Sequence, residues 1–200
     1  MYVVIAEDDS DFKCLQILIK RLAKDDSISI KGEGFNSCGT MLNKGAKVLS
    51  LWNQKKEYRK FIICYDRDKD TAQKRYEEVI SKVIKPAEIK NSENLICILI
   101  PIEEIEAWIL ADIKAVSNVI PSWQPKDNYP NPEDIQNPKE KLISLSRINK
   151  PKPLYSHNIH NEKVMAHLDL GVVKKKCPSF AELANFVEND IANYPIRKSK

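Results

Sequence analysis

Carboxylates gather at three places along the chain: Glu7, Asp8, Asp9 and Asp11 after VVIA, Asp66, Asp68 and Asp70 in DRDKD, and Glu103, Glu104 and Glu106 in EEIE. Like charges set this close repel one another, and a cation among them relieves the repulsion. Magnesium and manganese take hard oxygen ligands, commonly one or two carboxylates per ion, with water and substrate phosphates completing the octahedron. Ions held in this way activate water, orient a phosphate and neutralise a leaving oxygen. The chemistry on offer is therefore phosphoryl transfer or phosphodiester hydrolysis. In an extended strand end, alternate residues point the same way, so Asp66 and Asp68 can bracket one site. On a helix, Glu103 and Glu106 are three apart and share a face. A plainer reading stands beside this one. Acids in the first turn of a helix suit its dipole, which accounts for Asp8, Asp9, Glu103 and Glu104 without any ion, and Asp68 and Asp70 suit a turn.

The elements that must carry these clusters follow from the apolar pattern. Residues 2 to 6 (YVVIA) read as a buried strand, and residues 10 to 24 carry Phe12, Leu15, Leu18, Ile19 and Leu22 at helical spacing. Residues 27 to 35 alternate as a second strand, residues 40 to 53 read as a helix, and FIICYD at 61 to 66 is a third strand ending in acid. Residues 71 to 84 fit a helix, LICILIP at 95 to 101 a fourth strand, and IEEIEAWILAD a further helix. This alternation predicts an α/β fold with a mostly parallel four-stranded sheet flanked by helices. Active groups of such sheets lie beyond the carboxyl ends of the strands, where Glu7 and Asp66 fall. The proline-rich stretch 121 to 138 then breaks the pattern as a long loop or lid. Beyond it the sequence predicts helices at 139 to 147, 162 to 169 and 179 to 193, with a connector at 149 to 161. Residues 1 to 120 thus form a core, and 121 to 200 a loop and helical C-terminal extension packed on it.

Composition narrows the partners. A hydrophobic share of 42% and a charged share of 30% describe an ordinary soluble protein. The net charge of +4 accommodates nucleic acid without requiring it. Basic residues collect late, at Lys174, Lys175 and Lys176 and at Arg197, Lys198 and Lys200. The five cysteines form no CxxC pair, which reads as reduced thiols in the cytoplasm. The start has no basic segment before its apolar run, and no stretch approaches the roughly 18 apolar residues of a membrane span. A glycine-rich phosphate loop is absent, so ATP hydrolysis is not expected. His157 and His160 are spaced like a zinc pair but lack a third ligand nearby, His167 reads as a packed histidine, and Trp52, Trp108 and Trp123 as core or lid.

Two families share this opening. VVIAEDDSD resembles the start of response-regulator receiver domains, in which Asp66 would accept a phosphoryl group. Receivers place Ser or Thr at the end of strand four and a lysine after strand five, whereas strand four here ends in Leu99, Ile100 and Pro101. EDDSD at 7 to 11 resembles the E-G-x-T-E signature of TOPRIM domains of the overcoming-lysogenization-defect (OLD) nuclease type, with Asp8 where glycine is usual. YDRD at 65 to 68 matches the second TOPRIM signature, D-x-D. PIEEIEAWILAD at 101 to 112 looks like the E-x-E-A-W-L-L-A-D element of the TOPRIM-like domain of unknown function family 4276. NPKE at 137 to 140, Tyr155, Lys163 and CPSFAEL at 177 to 183 resemble its C-terminal half.

This resemblance implies a TOPRIM fold and a metal-dependent nuclease acting on DNA or RNA with Mg2+ or Mn2+. Its catalytic residues would be Glu7, Asp66, Asp68 and Lys163, the last stabilising transition-state charge. Its metal ligands would be Glu7, Asp11, Asp66, Asp68, Glu103 and Glu106. Such relatives resemble effectors of bacterial anti-phage defence modules that work beside an ABC- or AAA-type ATPase. A catalytically inactive interaction subunit is the remaining alternative.

Overall fold

A computed structural model describes residues 1–89, 93–148 and 151–194. The wholly apolar run at the start forms β1 (Tyr2–Ala6), every residue of which is buried. It lies between β2 (Ile30–Gly34) and β3 (Lys60–Cys64), and β4 (Leu95–Leu99) adds to the far side of β3, giving the order β2-β1-β3-β4. All three pairings are parallel, with Tyr2 opposite both Ile30 and Lys60, and Lys60 opposite Leu95. Level starts and equal lengths bring the carboxyl ends of the strands to one edge.

Parallel neighbours need crossovers, and helices supply them. α1 (Asp9–Ala23) follows β1 and α2 (Cys38–Asn53) follows β2. After β3 comes α3 (Ala72–Val79), which widens into a π-helical turn at Ile80–Ile84 and ends in the short α4 (Lys85–Ala87). Strand residues alternate between two cores. Val3, Ile5, Phe61 and Ile63 pack with Met41, Leu49, Val79 and Val83 of the helices on one face. Val4, Ala6, Ile62, Cys64 and Leu99 pack on the other face with Leu15, Leu18 and Ile19 of α1.

The second face also receives most of the described residues that follow β4. α5 (Glu106–Ala111) is followed by a 3-10 turn at Ile113–Asn118, and then by α6 (Pro138–Leu145), α7 (His157–Met165), α8 (Leu170–Lys176) and α9 (Pro178–Asn189). Leu142, Tyr155, Val164, Phe180 and Phe186 join the core that holds Val4 and Ile62. Trp108 and Trp123 are buried there, and the Trp108 indole donates to Ser179 Oγ at 2.9 Å.

The expected elements shift in three places. α5 starts four residues later than the 102 to 112 helix, because Glu103 has left-handed backbone (φ 65°) that no helix continues through. The helix expected at 162 to 169 is instead α7 from His157, and the unforeseen α8 follows. Asp169 starts α8 by accepting from the Gly171 and Val172 amides at 2.9 and 3.1 Å. His167 falls in the gap and is exposed rather than packed. Residues 149 and 150 of the expected connector, and the basic Arg197, Lys198 and Lys200, lie outside the described residues. All five cysteines are free thiols. Among the described residues no helix is long and apolar enough to cross a membrane.

Candidate acidic site at the carboxyl edge of the sheet

Glu7 follows β1 directly, and Asp8 then caps α1, its extended backbone letting Oδ1 accept the Asp11 amide at 2.8 Å. That cap sets Asp11 in the first helical turn, where it is 7% exposed. The turn is pressed close against β2. A Cβ added at Gly34 would lie 2.0 Å from the Asp8 carbonyl oxygen, so glycine is required where the strand end passes.

Beyond β3 the amides of Tyr65 and Arg67 donate to the Leu99 and Pro101 carbonyls, each at 3.0 Å. Asp66 between them faces the β1 side, and its amide donates to Glu7 Oε1 at 3.1 Å. Glu7 therefore closes the gap left where the two strands stop pairing. The Asp66 carboxylate has an oxygen, Oδ1, that is buried without a hydrogen-bond partner. Glu106 opens α5 almost wholly buried, and its Oε1 accepts from Asn161 Nδ2 at 3.0 Å.

These four acids share one electrostatic neighbourhood. Burial, followed by the charges of Asp68 and Asp8, pushes Glu7 up to about 7 against the opposing Asp66 amide and Arg75. Burial pushes Glu106 up to about 7 as well, with Lys139 and the Asn161 amide pulling the other way. Asp66 and Asp11 are raised well above the ordinary carboxylate range, first by burial and then by neighbouring acids, and both feel Glu7 and Glu106. Lys139, second residue of α6, is the cation of the group. Its Nζ donates to Glu104 Oε1 at 2.8 Å and its amide to Glu104 Oε2 at 3.2 Å. Burial works against its charge, but Glu106, Glu104 and Asp66 outweigh burial and raise its pKa.

Other sequence-derived candidates sit differently. β3 ends at Cys64, so strand alternation does not carry Asp66 and Asp68 to one side. Asp68 instead adopts left-handed backbone (φ 49°), is exposed and pairs with Arg75 at 3.0 Å, although its charge still reaches Glu7. Arg75 ties the whole loop together, donating to the Arg67 carbonyl at 3.2 Å and lying 4.4 Å above the Tyr65 ring. Glu103 precedes α5 rather than sharing a face with Glu106, and it pairs with Arg67 at 2.6 Å. Lys163 is exposed on α7, and Lys139 holds the place beside the acids. His160 Nδ1 meets the Ser156 amide at 2.9 Å, closing the start of α7. His157 is lowered by burial and then by Lys139, and it feels Asp8 and Glu104 at the rim of the site.

Two clefts reach this edge. One of about 450 Å³ is lined by Arg67, Asp68, Lys69, Glu103 and Asn137, and one of about 310 Å³ by Asp8, Ser10, Lys13, Asn36 and Asn158.

The family described as Domain of unknown function (DUF4276) matches residues 6–188. The chain belongs to this family. No curated protein and no solved structure matches it. The span matched to DUF4276 takes in Glu7, Asp11, Asp66, Glu106, Lys139 and Asn161 together. Among the described residues, no three His, Cys, Asp or Glu side chains stand as a ready-made metal cage. Magnesium does not need one, since one or two carboxylates with water and phosphate suffice. The all-oxygen donor set and the partnerless buried oxygen of Asp66 fit such an ion.

Proposed function

We propose that this DUF4276 chain is a TOPRIM-type nucleic-acid phosphodiesterase that uses Mg2+ or Mn2+ to cut DNA or RNA. The observation that carries the reading is Asp66 Oδ1, buried and without a partner among Glu7, Asp11 and Glu106. A buried acceptor left unsatisfied costs about 1–3 kcal/mol, and a hard cation supplied with the substrate offsets that cost. Asp66 and Glu106 would hold the ion, with Glu7 and Asp11 beside them, and when bound it polarises the phosphate and stabilises the leaving oxygen.

The protein's own groups do the rest. Glu7 is held at Oε1 by the Asp66 amide, and with a pKa of about 7 it exchanges a proton near neutrality at its other oxygen, as a general base must. Lys139, kept charged by its acidic neighbours, places fixed positive charge where a phosphate adds negative charge. Arg75 and Arg67 brace the loop that carries Asp66. The resemblance to OLD nucleases and the lack of a phosphate-binding loop support action beside an ABC- or AAA-type ATPase in an anti-phage defence module.

Manganese-stimulated nicking of plasmid DNA or labelled RNA tests the reading. Glu7→Ala and Asp66→Ala are expected to abolish cleavage with circular dichroism unchanged, and unaltered cleavage in both variants would rule it out. Covalent modification of Asp66 by acetyl phosphate, with no nicking, would move the assignment to a receiver.

A further inference from the structure

Besides its own backbone amide, Glu106 is held by the last third of the chain. Asn161 on α7, 1% exposed, donates from Nδ2 to Glu106 Oε1 at 3.0 Å. The other end of the same amide, Oδ1, accepts the Tyr155 hydroxyl. That second bond supports the orientation of the first. An amide has a donating and an accepting end of nearly the same shape, and turning it over would set its oxygen against the carboxylate. The ionised carboxylate can only accept and so fixes the N–H end toward itself, and the phenol O–H, which is free to donate, takes up the Oδ1 that this orientation presents to it.

Tyr155 is itself well fixed. Its amide donates to Ser146 Oγ at 3.1 Å, its ring stacks on His160 at 5.9 Å, and it meets Trp123 edge-on at 6.2 Å. Burial, then the charge of Glu106, raises its pKa, so the hydroxyl keeps its proton and remains a donor. A buried relay therefore runs from Tyr155 through Asn161 to the carboxylate at the start of α5.

We propose that Asn161, oriented by Tyr155, is a positioning residue that holds Glu106 in the one orientation in which it receives the divalent cation. This rests on the reading of the acidic site as a metal site. Partners behind a ligating carboxylate commonly change metal affinity 10–100-fold when removed.

Mn2+ binding to the full chain, followed by electron paramagnetic resonance well below the melting temperature, tests it. Asn161→Ala is expected to bind about 10–100-fold more weakly than the unaltered protein. Tyr155→Phe, which removes one oxygen and keeps the amide, is expected to bind about fivefold more weakly, the equivalent of one hydrogen bond. A purely structural role would lower the melting temperature of both variants and leave the affinity of the folded protein unchanged. That result, with Mn2+ bound normally by the unaltered chain, overturns the relay and leaves the proposed function standing. Absence of Mn2+ binding by the unaltered chain overturns the metal site and the relay with it. If Asn161→Ala does not fold, Tyr155→Phe decides alone.

Discussion

Asp66 is the side chain that gains most from a partner. It carries a buried oxygen without a hydrogen bond and lies within the fields of Asp11, Glu7 and Glu106. Asp66→Asn keeps the shape, removes the charge and adds a donor toward its acidic neighbours. In the absence of metal this variant is expected to be more stable by about 1–2 kcal/mol, which at this chain length raises the melting temperature by roughly 2–8 °C. On the proposed reading it is also expected to lose all cleavage, the usual exchange of stability against function. Thermal unfolding in chelator checks the first claim, and a lower melting temperature would show that the charge is already compensated within the fold. That Glu7, Asp11, Asp66 and Glu106 come to one edge of the sheet was legible in the sequence because each lies within two residues of the end or start of an element marked by an apolar run. The positions of Asp68 and Glu103 were not. Their placement depends on left-handed backbone and on the arginines that claim them, Arg75 and Arg67, and neither leaves a periodic trace. Lys163 and Lys139 show the same limit. Both lie on short helices, Lys139 beside Lys141 on α6, and only packing decides which lysine turns toward the acids.

The β1–α1 turn shows how closely one element constrains another. The Asp8 carbonyl lies against the end of β2, where Gly34 has no room for a side chain. The obstacle is main chain and cannot rotate aside, so Gly34→Ala must push either the strand or the turn that carries Glu7. A stability loss of about 1–3 kcal/mol is expected, measured as a lower urea midpoint. If Glu7 acts as proposed, cleavage by the folded fraction is expected to fall by about a hundredfold, since a shift near 1 Å at a reacting group has that effect. Gly39→Ala in α2, where an added Cβ meets nothing within 4 Å, is the control: it is expected to raise the urea midpoint by the equivalent of about 0.4–1 kcal/mol and to leave cleavage unaltered. Equal effects from the two substitutions would remove the argument. The same strands were the most legible elements, since continuous apolar runs such as Tyr2–Ala6 and Leu95–Leu99 admit few alternatives. Elements after residue 100 were less so. α8 has one fully buried side chain, Val173, and so little apolar pattern to read, and α7 starts at a connector that looked irregular.

Across the whole molecule the acidic site makes folding and proton binding one problem. Glu7 and Glu106, raised to about 7 mainly by burial, hold protons in the fold that the unfolded chain releases near the ordinary value of 4.5. Asp11 and Asp66 are displaced in the same direction. Below the unfolded value both states are protonated and the site contributes nothing to the balance. As pH rises from 4.5 through 7 the unfolded state binds fewer protons than the fold, so stability falls, and it levels off once the folded groups have also ionised. His157, lowered by burial and Lys139, and the Met1 amino group, lowered by burial, work in the opposite sense, while Glu133 and Glu182, raised by burial, join the four acids and outnumber them. Asp25, Asp70 and Glu78 are lowered, so what they contribute is lost only below the usual carboxylate range. The metal-free protein is therefore expected to melt highest near pH 5 and to lose stability steadily toward pH 8. On the proposed reading Mn2+ binds the ionised site and stabilises the fold by mass action, so the rise in melting temperature that it causes is expected to be larger at pH 8 than at pH 5. Glu106→Gln removes one of the protons concerned and flattens the metal-free profile. Differential scanning fluorimetry from pH 5 to 8, in chelator and in Mn2+, reads all three. A metal-free melting temperature that climbs across this range would mean that the four acids are not held together as protonated neighbours.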